Sequence, residues 1–457
     1  MGPKKALERV AVDALRRRAD GSFDVAEASR RYDADGFVVL QLLTPDECDA
    51  GIYELYSRVL MTQPWNDPAY AATRTLLPLV LRDDLGPIGS LEHGDAAHQK
   101  RVVSVLKSDN IAASVLKEYK ARWPLHLSFG APCDDIGFHL PRVWRVRQDP
   151  HVYEIVTALS GTEELWVDIN RPIMKLPGQG EQEFLHWDLD VLKKRFVARS
   201  PNVQGKVVYT PSRLVAVTGT HTPAFREAFV AQYRTLVTSG TAKTGLNPDK
   251  DPAKYFQRQR EYLLPAGSCV FWNAQMLHGQ TKTPIHENIE FGFYLGFFPA
   301  GSRPEYAATL QKMQKTQTPG KGGHATEIAT EINDRLRSFT NGHAPKLWPS
   351  FDPIHFYPNR YQNYPRLVQA VIKKMPPEHP SISTRTSAST GKVYPHLLPW
   401  RPDRYYSPYV PPQLTALGKQ LLGIAPWQEP VSRTPTASPS ILYSTPTTTL
   451  MGLPCMK

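Results

Sequence analysis

The residues with the greatest capacity for chemistry lie in two short segments far apart along the 457-residue chain. In Phe184-Leu185-His186-Trp187-Asp188 an imidazole and a carboxylate stand at i and i+2. In a strand, side chains at that spacing leave the same face, so both can reach one ion. Alone, such a triplet is more often a salt-bridged surface pair. A further donor, His278, follows Asp188 by 90 residues and sits with Gly279 just beyond the apolar run Ser268 to Trp272. Two histidines and one carboxylate delivered from strands form a facial set that suits non-haem Fe(II) and leaves positions on the metal open to other ligands. His278 by itself also reads as a loop histidine satisfied by its neighbours; the joint pattern favours the metal. Trp187, between two candidate ligands, points to the opposite face and is expected in the core.

These residues need a frame of strands. From Glu163 to Pro299 short β-like runs recur between Gly, Pro and Asn: Leu165 to Ile169, Phe184 to Asp188, Lys206 to Tyr209, Leu214 to Thr218, Ser268 to Trp272 and Phe291 to Phe298. Many short strands predict a sandwich or barrel. Upstream, an Asp35-Gly36 turn leads into the apolar run Phe37 to Leu40, and Thr44-Pro45-Asp46-Glu47 opens a helix. Leu7, Val10, Val12 and Leu15 at helical spacing predict an N-terminal helix, with a second short one through Val25 to Ser29. Beyond Pro299, helical patterning returns over Glu305 to Lys315, His324 to Phe339 and Pro365 to Met375. From about Pro376 the chain is rich in Pro, Ser and Thr and is expected to be largely irregular, contributing little to a core. The aromatic patch Trp400 to Pro412 is the exception: it either clamps onto the body or sits in a loose tail. The expected division is an N-terminal helical extension (1–31), a β domain (32–300), a C-terminal helical wrap (301–375) and a tail (376–457).

Composition is that of an ordinary globular protein, at 41% hydrophobic and 21% charged residues. The formal net charge of +11 favours anionic partners, nucleic acid included, although much of the excess lies in the N-terminal run and the tail, where solvated appendages are the better reading. Cys48, Cys133, Cys269 and Cys455 form no CxxC pair, which argues against a disulfide framework or a cysteine zinc site. No apolar run is long enough to span a membrane, and the N-terminus carries no signal-like segment, so the expectation is an intracellular, cytoplasmic protein without a membrane partner.

Four segments in order carry a resemblance: Asp35 to Leu40 with Pro45 to Cys48, then His186 to Asp188, then Gly219-Thr220-His221, then His278-Gly279. Together they resemble the phytanoyl-CoA dioxygenase-like family of Fe(II) and 2-oxoglutarate-dependent oxygenases, over about residues 32–298. The segment Arg142 to Pro150 also resembles a divergent branch of that family. The resemblance implies a mainly β fold with α appendages, a double-stranded β-helix (jelly roll) with N-terminal and C-terminal helices. It further implies Fe(II) held by His186, Asp188 and His278, 2-oxoglutarate as cosubstrate, and hydroxylation of a small-molecule substrate. His221 is implied to line the pocket beside the iron or to contact substrate, or else to brace its turn.

One departure stands out. Members of that family place an arginine roughly eleven residues after the distal histidine to hold the far carboxylate of 2-oxoglutarate, whereas this chain reads Glu287-Asn288-Ile289-Glu290, and a glutamate facing the pocket would repel a dicarboxylate. The substitutes ranked first are Arg171 and Lys282, ahead of Arg142 and Arg145, with Arg171 also readable as a surface residue at a strand end. The departure keeps open a non-catalytic jelly-roll binding or structural module. The charge keeps open a nucleic-acid-directed oxygenase, and the ligand types a simpler cupin-type metal protein.

Overall fold

In a computed structural model the described residues are 8–61, 96–107, 127–128, 131–132, 138–175, 185–188, 191, 196–233, 237–239, 244–246, 259–279, 289–300, 323–342, 347–348, 355–356, 382–386, 393–397 and 410–427, all within the unit Met1–Trp427. The strands through the first half are β1 (Glu8–Ala11), β2 (Leu15–Arg16), β3 (Phe37–Gln41), β4 (Leu127–Ser128), β5 (Ala131–Pro132), β6 (Leu165–Asp168), β7 (Pro172–Lys175), β8 (His186–Trp187), β9 (Val203–Val208) and β10 (Ser212–Val217). They continue as β11 (Val237–Ser239), β12 (Thr244–Leu246), β13 (Gln259–Leu264), β14 (Ser268–Asn273), β15 (His278–Gly279), β16 (Glu290–Pro299), β17 (Leu347–Trp348), β18 (His355–Phe356), β19 (Ile382–Thr386) and β20 (Val393–Leu397). The helices are α1 (Val25–Asp35), α2 (Pro45–Met61), α3 (Ala96–Lys107), α4 (Pro141–Arg147), α5 (Pro150–Ser160), α6 (Pro223–Tyr233), α7 (Gly323–Asn341) and α8 (Ala416–Leu422).

One sheet runs β1-β13-β10-β15-β8-β12-β11 and a second runs β2-β3-β14-β9-β16-β6, with β7 also paired to β16. The chain alternates between them: β7 lies in the second sheet, β8 in the first, β9 in the second and β10 in the first. The pattern then repeats as β13, β14, β15 and β16 in mirrored order. That alternation is the double-stranded β-helix. Phe37, Val39, Val208, Val270 and Trp272 from the second sheet meet Leu214 and Ala216 from the first in one buried cluster between the sheets. On the outer face α1 packs against β3 and α5, and α5 packs against β9 and β16. The fold is therefore mainly β with helical additions. Among the described residues no helix is long and apolar enough to cross a membrane.

Local chemistry explains the element ends. Asp24 accepts from the Glu27 amide to start α1, and Gly36 ends it in the left-handed region (φ 86°) with its amide bonded to the Tyr32 carbonyl. Gly36 is also sterically required, because a Cβ there would lie 2.7 Å from His221 Nδ1 and 2.9 Å from Met276 Sδ. Thr44 and Glu47 form a reciprocal cap at the start of α2, the Thr44 amide donating to Glu47 Oε2 (2.9 Å) and the Glu47 amide to Thr44 Oγ1 (3.3 Å).

Two expectations change, those for residues 8–16 and for the tail. Residues 8–16 are not helical: β1 joins the edge of the first sheet parallel to β13, and β2 joins the second parallel to β3. Ion pairs Arg9–Glu261 and Arg260–Glu8 flank that added edge, so pairing with an available sheet edge outweighs the helical spacing. In the wrap, the patterning over His324 to Phe339 is realised in α7, while Glu305 to Lys315 and Pro365 to Met375 lie outside the described residues. The tail contributes to the core after all. Leu417, Leu421 and Leu422 of α8 are buried, and α8 packs on β6 and α4. Buried Arg335 from α7 donates to the carbonyls of Val167, Leu421 and Leu422 while lying over the rings of Trp166 and Phe298. Short apolar helices can seat on a body whatever the composition around them; the proline-rich average concealed this one.

Two stability tests follow. Gly36→Ala combines a positive φ with an overlap in a packed interior, so its unfolding free energy should fall by about 2 to 4 kcal/mol in urea; a loss below about 0.5 kcal/mol would contradict the stated packing. Arg335→Leu removes three charge-assisted hydrogen bonds and leaves their carbonyls buried, so a loss of about 3 kcal/mol or more is expected by the same measurement.

Candidate metal centre

His186 and His278 are brought together by backbone pairing. β8 and β15 run antiparallel with His278 directly opposite His186, and the two rings lie 4.7 Å apart. Asp188 follows at the end of β8. Its Oδ1 is 3.4 Å from His186 Nε2 and its Oδ2 is 3.6 Å from His278 Nε2. One ligand atom from each of the three residues lies within 4.8 Å of the others, a convergence found for no other such group among the described residues. His278 is buried, whereas His186 and Asp188 are half-buried and lie on the accessible side. Trp187 is fully buried with Val191, Phe196, Val217, Phe229 and Leu277, the core role expected of it.

The donor set fits a metal. His278 Nδ1 lies 3.0 Å from the Met276 carbonyl, which can only accept, so Nδ1 carries the proton. That leaves the Nε2 lone pair turned toward a carboxylate oxygen at 3.6 Å. The contact is favourable where a metal ion, or a proton on Nε2, lies between the two groups, and a backbone bond to the non-ligating nitrogen is how metal histidines are oriented.

The second sheet supplies the surroundings. Register places Asp168, Gly296, Gln204 and Trp272 in one row across β6, β16, β9 and β14, and Tyr294 beside Lys206 in the next. Glu290 stands opposite Lys175 on β7. Side chains from this face reach across the interior: Gln204 Nε2 donates to Asp188 Oδ2 (2.6 Å), and Lys206 Nζ donates to Ser212 Oγ (2.8 Å) and the Arg213 carbonyl (2.7 Å) on β10.

Glu290 does face inward, but it is compensated. Lys206 and Lys175 lie 3.4 and 3.5 Å from its oxygens, and Ser212 donates to it at 2.5 Å. Burial alone would raise its carboxyl; the two lysines and the Ser212 hydroxyl bring it down to about 2. Burial also draws the Lys206 ammonium below its ordinary value, with Glu290 pulling the other way. The Tyr294 phenol would be raised by burial, yet Lys175, Arg171 and Lys206 leave it below its usual value. The group therefore sets three basic side chains, Lys175, Lys206 and Arg171, around Glu290 and Tyr294.

Arg171 belongs to this group: its guanidinium lies 5.1 Å from the Tyr294 ring centroid, and its buried Nε has no hydrogen-bond partner among the described residues. Lys282 and Glu287 lie outside the described residues. His221 stands apart from the ligand cluster, its Nε2 bonded to the Asp33 carbonyl at 3.1 Å and its ring against Gly36. Arg145 pairs with Glu47 on α2, and the Arg142 amide donates to Glu54 of the same helix. Sequence reasoning passed over Gln204, Lys206 and Tyr294. The signal available was a lysine and a glutamine two residues apart in the otherwise apolar Val203 to Tyr209, the spacing of one strand face.

No protein-family model matches the chain. No curated protein matches it. Among solved structures it is similar to the nickel complex of the non-haem monooxygenase ThoJ, at 14% identity, covering 60% of this chain and 77% of that one with a TM-score of 0.29. It is similar to the epimerase SnoN in complex with Fe3+, alpha-ketoglutarate and nogalamycin RO, at 14% identity, 60% and 84% coverage and a TM-score of 0.31. EctD from S. alaskensis with bound Fe aligns at 14% identity, 61% and 78% coverage and a TM-score of 0.32. The jelly-roll assignment rests on the strand order given above rather than on these likenesses.

Proposed function

We propose that the chain is a non-haem Fe(II) and 2-oxoglutarate-dependent oxygenase of the phytanoyl-CoA dioxygenase-like kind, acting on a small-molecule substrate. The observation that carries this reading is the convergence of His186, Asp188 and His278 within a jelly roll. Iron with 2-oxoglutarate supplies activation of dioxygen and oxidation of an unreactive C–H bond. The chain's own part is to hold the metal through His186, Asp188 and His278, and to keep His278 in the tautomer that presents Nε2. Its other part is to seat an anion: Lys206 and Tyr294 lie on the row next to Gln204, about 7 Å further along β9, with the Arg171 guanidinium against the Tyr294 ring. Burying a carboxylate without a counter-charge costs several kcal/mol, and this row offers the counter-charge. Lys282 is retained as a second candidate from the segment after His278.

One observation favours a different reading. Glu290 occupies the strand after the distal histidine, where the resembling family carries its arginine, and it already uses Lys206 and Lys175. In this alternative the cations are consumed within the fold, and the jelly roll is a metal-binding module without a cosubstrate.

Anaerobic calorimetry with Mn(II) should show one site in the parent and no binding in His186→Ala, Asp188→Ala or His278→Ala; unchanged affinity in all three would end the metal reading. Fe(II) with 2-oxoglutarate should then give the weak visible band of the chelate, with an apparent Kd for 2-oxoglutarate raised about tenfold or more in Arg171→Ala and Lys206→Met, metal affinity being retained. Loss in Lys282→Ala instead would move the anchor to that residue. A parent that binds metal but gives neither band nor succinate supports the non-catalytic module.

A further inference from the structure

We infer that Gln204 is a positioning residue for the metal-binding carboxylate of Asp188, and that Trp272 fixes the direction in which Gln204 works. The inference rests on the metal reading above and assigns a role to two residues outside the ligand set. An amide side chain can present either its oxygen or its nitrogen, and here its neighbours leave one choice. The Trp272 indole N–H can only donate, and it lies 2.8 Å from Gln204 Oε1. The Asp188 carboxylate can only accept, and its Oδ2 lies 2.6 Å from Gln204 Nε2. Turning the amide over would set donor against donor and acceptor against acceptor. Trp272 thus acts on both histidine and carboxylate: its ring lies 5.3 Å from that of His278 while its N–H orients the group that holds Asp188.

The scaffold builds this relay deliberately into one row. Trp272 and Gln204 are register partners on β14 and β9, and Gly296 is the partner of Gln204 on β16. A Cβ at Gly296 would come within 3.2 Å of Asp168 Cβ, so a side chain there would crowd the same row. With Oδ2 engaged by Gln204, Oδ1 is the oxygen turned to His186, at 3.4 Å. Gln204 therefore restrains Asp188 from swinging out of the ligand cluster and biases it toward offering one oxygen, which leaves more of the metal's coordination sphere for other ligands.

The test is a double-mutant cycle read by Mn(II) calorimetry on the full chain, with near-UV circular dichroism and melting curves to establish folding. Gln204→Met should raise the Mn(II) Kd about 10- to 100-fold. Trp272→Phe keeps the ring packing but loses the donor, and should raise it about threefold or more. The double variant should bind no more weakly than Gln204→Met alone, because Trp272 acts through the amide; a purely structural role for the indole would make the two effects add. Parent-like affinity in Gln204→Met, or an additive cycle, overturns the proposal. If Gln204→Met does not fold, Gln204→Asn, whose shorter amide cannot bridge Trp272 to Asp188, takes its place with the same expected weakening. A parent that fails to bind Mn(II) sinks the metal reading and this inference together, whereas a binding parent with unaffected variants sinks this inference alone.

Discussion

The pairing of β8 with β15 is the interaction on which the rest of the site depends. Both strands are two residues long, and their shared register sets His186 opposite His278. A slip of one residue in either strand would turn its histidine to the opposite face, away from its partner. The phase is held by what lies on that opposite face: Trp187 and Leu277, the sequence neighbours of the two histidines, are buried in the same apolar cluster with Val217 and Phe229. β15 is braced from the other side by β10, where Ala216 faces His278, so a small residue stands beside the candidate ligand. Apolar burial on one face thus pins the polar constellation on the other.

Charge inside the jelly roll is organised by the inner face of the second sheet. A carboxylate on β16 would be costly to bury alone, and Glu290 is stabilised there by Lys175, Lys206 and Ser212 contributed by three other strands. The cationic excess is thereby distributed over β7, β9 and the segment before β7 instead of residing in one arginine after the distal histidine. Such a network is rigid, because removing any member leaves another buried charge exposed to a low-dielectric interior. The same sheet extends one row further to Gln204, so electrostatic compensation and orientation of Asp188 share a single backbone frame.

The helical additions hold that frame from outside. α1 and α5 cover the outer face, and Arg199 ties the loop before β9 to this layer through the Ala158 carbonyl on α5. At the far end Arg335 links β6, α7 and α8 by bonding carbonyls from two of them at once. Segments distant in sequence are stabilised here by one buried guanidinium, whose planar fork satisfies several acceptors in fixed directions.

How much was legible in the sequence follows from the range of the forces involved. Local patterns determined the short strands from Leu165 onward, the Gly36 and Thr44 boundaries, and the alternation that sends Trp187 to one face of its strand and His186 and Asp188 to the other, because backbone geometry and capping act over a few residues. The type and spacing of His186 and Asp188, with His278 after an apolar strand, were enough to identify the metal-ligand candidates. Pairing partners were not legible. Residues 8–16 carry helical spacing yet complete two sheet edges, since the edge they join is formed by strands remote in sequence. The lysine and glutamine of β9 read as isolated polar residues until tertiary structure set Glu290, Tyr294 and Asp188 around them. The sequence by itself determined which groups could bind a metal; only the closure of two sheets on one another decided which cations face them, because side-chain charge is read from composition while its neighbours are chosen by long-range packing.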